Sequence, residues 1–200
     1  MVPKKHIITN SSFMRSIYFC LSYIKSKHHN KKKILLPRYS CMTFAHAIRQ
    51  AGLEIVYCDQ NPSNFKIDYD SLEKQVDSEV LGLISVNLLG LTNDMSLLKK
   101  FCNSKEIYLI EDLGYSLGSK FNNKNLGSFG DFSVANFKEG KPLPISGGMV
   151  ATDDSDFVSF IGFQNPQEYD FLRVALLYFL FFPFFYFLFR KLMQITNIDF

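Results

Sequence analysis

Two stretches of this chain place reactive side chains where a fold can use them. In the first, the apolar run Ile107-Tyr108-Leu109-Ile110 leads straight into Glu111 and Asp112, and then into Gly114 and Gly118. In an open parallel sheet the carboxyl ends of the strands face the ligand crevice, so an acid there is placed to meet a cation or a protonated ring nitrogen. The same two acids would also serve to cap the following turn. In the second stretch, the run from Asp131 to Phe137 emerges into Lys138-Glu139-Gly140-Lys141-Pro142, followed by Gly147-Gly148. A lysine in a constrained loop at a strand end is a usable amine nucleophile when it is shielded from water. Most lysines are simply solvated, so Lys141 gains its interest from being read together with Asp112. A third feature is Ser11-Ser12, good N-cap residues ahead of Phe13, Ile17, Cys20 or Leu21, and Ile24, which recur at helical spacing.

These residues need elements to position them. Short β-rich runs fall at Ile34–Pro37, Glu54–Asp59, Val80–Leu88, Glu106–Asp112, Asp131–Phe137 and Gly148–Thr152. Several are almost continuously apolar, as strands covered on both faces must be. Helical stretches lie between them at Thr43–Ala51, Asp70–Gln75 and Asp94–Cys102. This alternation predicts an α/β domain with a mostly parallel sheet. Asn61-Pro62-Ser63-Asn64 reads as a turn. Asn122-Asn123-Lys124-Asn125 reads as a hairpin tip between Lys120-Phe121 and Leu126-Gly127.

Composition narrows the class. The 200 residues are 47% hydrophobic and 20% charged, with 21 Phe and no Trp, which excludes a disordered or polar low-complexity chain. A net charge of +3 is too small to argue for nucleic acid. The charge is uneven, however: the first 53 residues carry Lys and Arg but no acid, and Glu54 is the first. Such a segment could meet phosphate groups or form a solvated basic face. Cys20, Cys41, Cys58 and Cys102 are unpaired by spacing and sit among apolar neighbours. They read as reduced core thiols of a cytoplasmic protein, not a disulfide frame or a zinc site. Ile17 to Ile24 is too short and too interrupted for a signal peptide.

The last part of the chain differs in kind. Val174 to Phe189 has no charge, is bracketed by Arg173 and Arg190-Lys191, and contains Pro183. At 16 residues it is shorter than the roughly 20 a helix needs to span a bilayer. A buried or oligomer-facing helical hairpin, an interfacial or re-entrant segment giving peripheral membrane contact through 171–191, and a true span borrowing its flanks all stay open. Aromatics and flanking bases favour an interface.

From about Ser11 to Asp154 the sequence resembles the DegT/DnrJ/StrS aminotransferases, pyridoxal-phosphate (PLP) enzymes of fold type I. The resemblance lies in the order and spacing of blocks: Ile34 to Cys41 with Ala47-Ile48 and Ala51-Gly52; Tyr57-Cys-Asp59 with Asn61-Pro62; Leu89-Gly90 with Asp94-Met95; Glu111-Asp112 with Leu117-Gly118; Gly127-Ser-Phe-Gly-Asp131; and Gly147-Gly148-Met149-Val150. It implies a three-layer PLP-transferase large domain over residues 1–154 with a short N-terminus. Residues 155–200 would be an apolar, aromatic-rich helical tail in place of a small C-terminal domain that is missing or incomplete.

The resemblance also implies roles. Asp112 falls where the family pairs an aspartate with the pyridine nitrogen. Lys141, ten residues after Asp131, falls on the lysine that holds PLP covalently and shuttles protons, whereas Lys138 has the wrong spacing. Ser11 and Ser12 fall where a helix start binds the cofactor phosphate. Tyr115 stands where the family usually has a glutamine beside the ring. Asn136 replaces a common phosphate-contacting serine, and Cys41 replaces an aromatic. The implied activity is transfer of an amino group from a small-molecule donor to a nucleotide-linked keto-sugar, by a homodimer. A PLP-binding homologue without transaminase activity, either regulatory or a sugar dehydratase, is one alternative, and retention of Lys141 argues mildly against it; a membrane-surface protein that keeps the fold and has lost activity, motivated by Val174–Phe189, is the other.

Overall fold

Strand β4 (Val80–Val86) is buried at all seven positions, and its sequence Val-Leu-Gly-Leu-Ile-Ser-Val shows why: only a strand covered on both faces reads as an unbroken apolar run. The computed structural model of the chain describes residues 2–138, 140–141 and 146–162, all within one compact unit, Met1–Pro166. The elements follow in the order β1 (His6–Asn10), α1 (Phe13–Lys27), β2 (Lys33–Pro37), α2 (Met42–Gln50), β3 (Glu54–Cys58), α3 (Tyr69–Gln75), β4, α4 (Met95–Ser104), β5 (Tyr108–Asp112), β6 (Lys120–Phe121), β7 (Lys124–Asn125), β8 (Phe132–Phe137), β9 (Gly147–Thr152) and α5 (Ser155–Gly162).

Seven strands form one sheet in the order β1-β9-β8-β5-β4-β2-β3. Four neighbouring pairs are parallel, and β9 runs antiparallel to both β8 and β1. Each strand face has its own core. Ile34, Leu36, Ile84, Val86, Ile110, Phe132 and Val134 pack with α1, α2 and α5. Leu35, Leu83, Leu109 and Ala135 pack with α3 and α4. The result is the three-layer α/β arrangement expected from the sequence, with a mainly parallel sheet.

Local chemistry sets the helix starts. The Ser12 side chain accepts the Arg15 N–H, Asp68 accepts Ser71 N–H, and Asp94 accepts Leu97 N–H. The hairpin is tighter than the sequence suggested. Its strands are Lys120–Phe121 and Lys124–Asn125, and the loop is only Asn122-Asn123, at φ 47° and 62°. Asparagine tolerates the left-handed conformation that such a two-residue turn demands.

Other expectations are corrected. Strand β1 carried no expectation of its own; it pairs along its whole length with β9. Helix α5 packs its buried Phe157 on Phe132, with ring centroids 5.0 Å apart, and so belongs with the sheet. Cys41 is exposed, at the start of α2, while the other three cysteines are buried free thiols. Several bases of the acid-free first 53 residues are paired with acids from later in the chain. Lys33 meets Asp77 and Glu79 at 2.6 Å, Lys32 meets Glu54 and Glu79, Lys27 meets Asp156, and Arg38 meets Asp59. The apolar run Val174–Phe189 lies outside the described residues. Among the described residues no helix is long and apolar enough to cross a membrane.

Candidate active site

The carboxyl ends of β1, β2, β3, β4, β5 and β8 and the start of β9 share one edge of the sheet, and the residues singled out in the sequence converge on it. Register fixes their order. Asp112 lies beside Val134, two residues before Asn136; Asn136 lies beside Gly148; and Gly148 lies beside Asn10, next to Ser11. Alternation along the strands puts Asp112, Val134 and Asn136 on one sheet face, the face that α1 and α2 cover.

The two neighbouring acids have opposite jobs. Glu111 is fully buried and accepts three backbone N–H groups: Gly127 on one oxygen at 2.9 Å, Phe129 and Gly130 on the other at 2.7 and 2.5 Å. It pins the loop leading into β8. Burial raises its pKa, and the three N–H donors oppose that rise. Asp112 is also buried, but only its Oδ1 is held, by the Gly114 N–H at 2.8 Å. Its second oxygen makes no hydrogen bond among the described residues. Burial pushes its pKa up to about 6, against the pull of the Gly114 N–H and the positive charge of Lys141. A turn-capping role is therefore present in Asp112, yet it uses half of the carboxylate.

Lys141 is half-buried, and its Nζ lies 3.1 Å from the centroid of the Tyr115 ring. Lys138 is exposed at the end of β8, and its carbonyl accepts the Lys141 N–H at 3.0 Å, closing the turn that carries Lys141 inward. Tyr115 remains 45% exposed.

The start of α1 sits hard against β9. A Cβ on Gly148 would lie 2.6 Å from Ser16 Oγ, 2.7 Å from Phe13 Cα and 2.9 Å from Phe13 N; on Gly147 it would lie 2.5 Å from the Asn10 carbonyl oxygen. The buried Asn10 side chain donates to Ser16 Oγ at 3.0 Å and locks the same junction. Two glycines thus let the helix N-terminus, with Ser11 and Ser12, approach the sheet. A helix start with its N–H groups and dipole is a general site for phosphate. The sequence reading quoted this glycine pair without giving it that role; two consecutive glycines opening a strand were the available signal.

Cys41 lies on the same edge, at the N-cap of α2, with its Sγ 3.2 Å from Thr43 Oγ1. Two cavities among the described residues lie elsewhere. One, of about 380 Å³, is lined by Lys4, Lys99, Tyr108, Asp131 and Asp153 among others, at the opposite edge of the sheet. The other, of about 370 Å³, is lined by Asn61, Lys66, Tyr69 and Asn93 among others. In the first the charges satisfy one another: Asp131 takes Lys99 at 2.7 Å and the Leu109 N–H at 2.8 Å, and Lys4 bridges the Gly130 carbonyl and Asp153.

A three-layer α/β fold with a carboxylate, an amine and a helix N-terminus at one strand edge defines a PLP-transferase-type domain. Residues 1–162 match the DegT/DnrJ/EryC1/StrS aminotransferase family, and the chain belongs to that family. It is 28% identical over 153 residues to GDP-4-keto-6-deoxy-D-mannose 3-dehydratase of Escherichia coli O55:H7, covering 75% of this chain and 39% of the relative. It is 25% identical over 154 residues to UDP-4-amino-4,6-dideoxy-N-acetyl-beta-L-altrosamine transaminase of Helicobacter pylori, covering 76% and 40%. Among solved structures, the Helicobacter pylori aminotransferase PseC superposes with a TM-score of 0.76 at 22% identity, over 85% of this chain and 47% of that one. The Escherichia coli dehydratase with bound hydrated PLP gives 0.73 at 25%, over 80% and 42%. The chain spans about two fifths of the length of these curated relatives.

The residues at the edge fit PLP in chemical type. A half-used buried carboxylate suits a protonated ring nitrogen, the amine beside it suits an aldehyde, and the glycine-seated helix start suits a phosphate.

Proposed function

We propose that this chain is the cofactor-carrying part of a PLP-dependent aminotransferase acting on a nucleotide-linked keto-sugar. The observation that carries the proposal is the convergence of Asp112 and Lys141 at one strand edge, with Lys141 close enough for its charge to act on the buried carboxylate. PLP, when bound, supplies the electron sink that makes a substrate C–H bond acidic. In this reading Asp112 keeps the ring nitrogen protonated through its free oxygen. Lys141 Nζ would hold the cofactor through its aldehyde carbon and, when released by the incoming amine, would move the proton at the substrate carbon. Ser11 and Ser12, with the N–H groups opening α1, orient the phosphate, and the Asn136 amide adds a donor on the same sheet face. Tyr115 borders the site. The donor is a small amino acid, and the working form is a homodimer. The exposed apolar side chains Tyr39, Met42, Leu89 and Leu91 support that last point.

A PLP-dependent sugar dehydratase is the second reading, favoured by the likeness to the 3-dehydratases. Retention of a lysine at 141 supports amino transfer instead. The test is to incubate the chain with PLP, reduce with borohydride and map the labelled peptide. Label on Lys141, absent in Lys141→Ala, supports the reading; label on Lys138 instead, or no label on a chain shown to be folded, overturns it. Product analysis with glutamate and a keto-sugar nucleotide separates the two chemistries, because one leaves nitrogen on the sugar and the other removes oxygen from it.

A further inference from the structure

We infer that Tyr115 is a positioning residue that docks the Lys141 ammonium on its ring face beside Asp112, so that the amine is aimed into the site before any ligand arrives. The inference rests on the reading of Lys141 as the reactive amine and goes beyond it, by assigning what holds that amine. A lysine on a short loop has four rotatable side-chain bonds and every reason to extend into water. Here its Nζ lies 3.1 Å from the Tyr115 ring centroid. That is well inside the roughly 6 Å within which an aromatic quadrupole attracts a cation. Among the described residues, the other cations stacked on rings lie farther off, at 5.1 to 5.9 Å.

The elements explain how the contact arises. Gly114 donates its N–H to Asp112 Oδ1, which turns the chain immediately after β5 and brings Tyr115 over the strand end. The Ser116 N–H donates to the Leu113 carbonyl at 3.1 Å, and the buried Ser116 side chain donates to the Asp112 carbonyl at 3.4 Å, so the turn is fixed on both sides of Tyr115. The Lys141 N–H donates to the Lys138 carbonyl at 3.0 Å, which directs the loop back towards β5. The ammonium thus rests on an aromatic face, beyond ion-pair distance of Asp112 but near enough for its charge to act on that carboxylate. A glutamine at 115 could offer a hydrogen bond but no quadrupole. The ring face, not the phenol hydroxyl, makes the contact, so phenylalanine should substitute for tyrosine and leucine should not.

The test has two arms on the full chain. In the first, without PLP, lysines are reductively methylated with ¹³C-formaldehyde, which keeps their positive charge, and the Lys141 dimethyl signal is assigned by its loss in Lys141→Arg. The expected result is a ring-current upfield shift of that signal, kept in Tyr115→Phe and lost in Tyr115→Leu, with the amide spectrum otherwise unchanged. In the second arm, PLP is added and trapped with borohydride. The share of label on Lys141 relative to Lys138 should fall about fivefold in Tyr115→Leu and recover in Tyr115→Phe. Absence of the upfield shift in the unsubstituted chain, or its persistence in Tyr115→Leu, overturns the inference whatever the second arm shows. A normal shift with no PLP trapped at Lys141 leaves the docking contact standing and overturns the cofactor reading instead.

Discussion

The two edges of the sheet handle charge in opposite ways. At the amino edge, Asp131 spends one oxygen on Lys99 and the other on the Leu109 N–H, and Lys4 joins Gly130 to Asp153. The Lys5 N–H and the Lys4 ammonium hold the Asp153 carboxyl below the usual range. At the carboxyl edge, Asp112 keeps an oxygen unbonded within the described residues and has its pKa raised to about 6, while Lys141 rests on an aromatic ring. Complete pairing is what stability selects. A buried carboxylate left half-paired costs stability and reads as a group kept for a ligand. Glu111 and Asp112 draw the same contrast between adjacent residues: the first is spent on three backbone donors and the second is held back.

Substitutions can break that comparison, and the largest effect should come from the fully paired side. Glu111→Ala leaves three buried N–H groups without an acceptor, and it should destabilise the chain by about 3–5 kcal/mol in chemical denaturation. Gly148→Ala pushes a methyl into Phe13 backbone atoms that cannot yield. It should cost about 1–3 kcal/mol and weaken PLP binding together, read by denaturation and by titration of the PLP absorbance. Asp131→Ala, at the amino edge, should cost about 1–2 kcal/mol and leave labelling of Lys141 by PLP and borohydride unaltered. Lys141→Ala should change stability by no more than about 0.5 kcal/mol, since a loop lysine fills no core position, yet it should abolish covalent PLP fixation.

Much of this frame was legible in the sequence. The unbroken apolar runs of β4 and β5 announce covered strands, and the Asp94 and Ser12 caps announce α4 and α1. β1 was not legible. His6-Ile7-Ile8-Thr9-Asn10 is short, follows two lysines, and leaves Ile7 exposed, so its strand character comes from pairing with β9 and not from local pattern. α5 was grouped with the apolar tail because composition alone cannot show that Phe157 packs on Phe132. At the site, Asp112 and Lys141 were singled out by type, position and family resemblance, and the structure brings both to the carboxyl edge. The division of labour between Glu111 and Asp112 was not legible, because it depends on which backbone donors the folded loop 127–130 presents. Cys41 was misjudged as core for a related reason: Met42 and Phe44 close by in sequence are apolar, but its place at the start of α2 faces outward.

The most direct test of the central claim is the stability of Asp112→Asn against pH, with and without PLP. The native carboxyl at about 6 lies above its ordinary 3.8, so the folded chain binds the proton more tightly. Stability from this group is therefore full below about pH 4 and is lost as pH rises through 6. Without PLP, Asp112→Asn escapes that loss, because asparagine keeps an acceptor for the Gly114 N–H. It should be more stable than the unsubstituted chain by about 1–3 kcal/mol above pH 6, the difference fading towards pH 4. With PLP the order should reverse: the unsubstituted chain gains stability at pH 7 to 8, where Asp112 is ionised, and Asp112→Asn gains much less. If Asp112→Asn instead destabilises the PLP-free chain at pH 7, as Glu111→Ala does, and gains as much as the unsubstituted chain from PLP, then Asp112 is a structural acid and the account of this site is wrong.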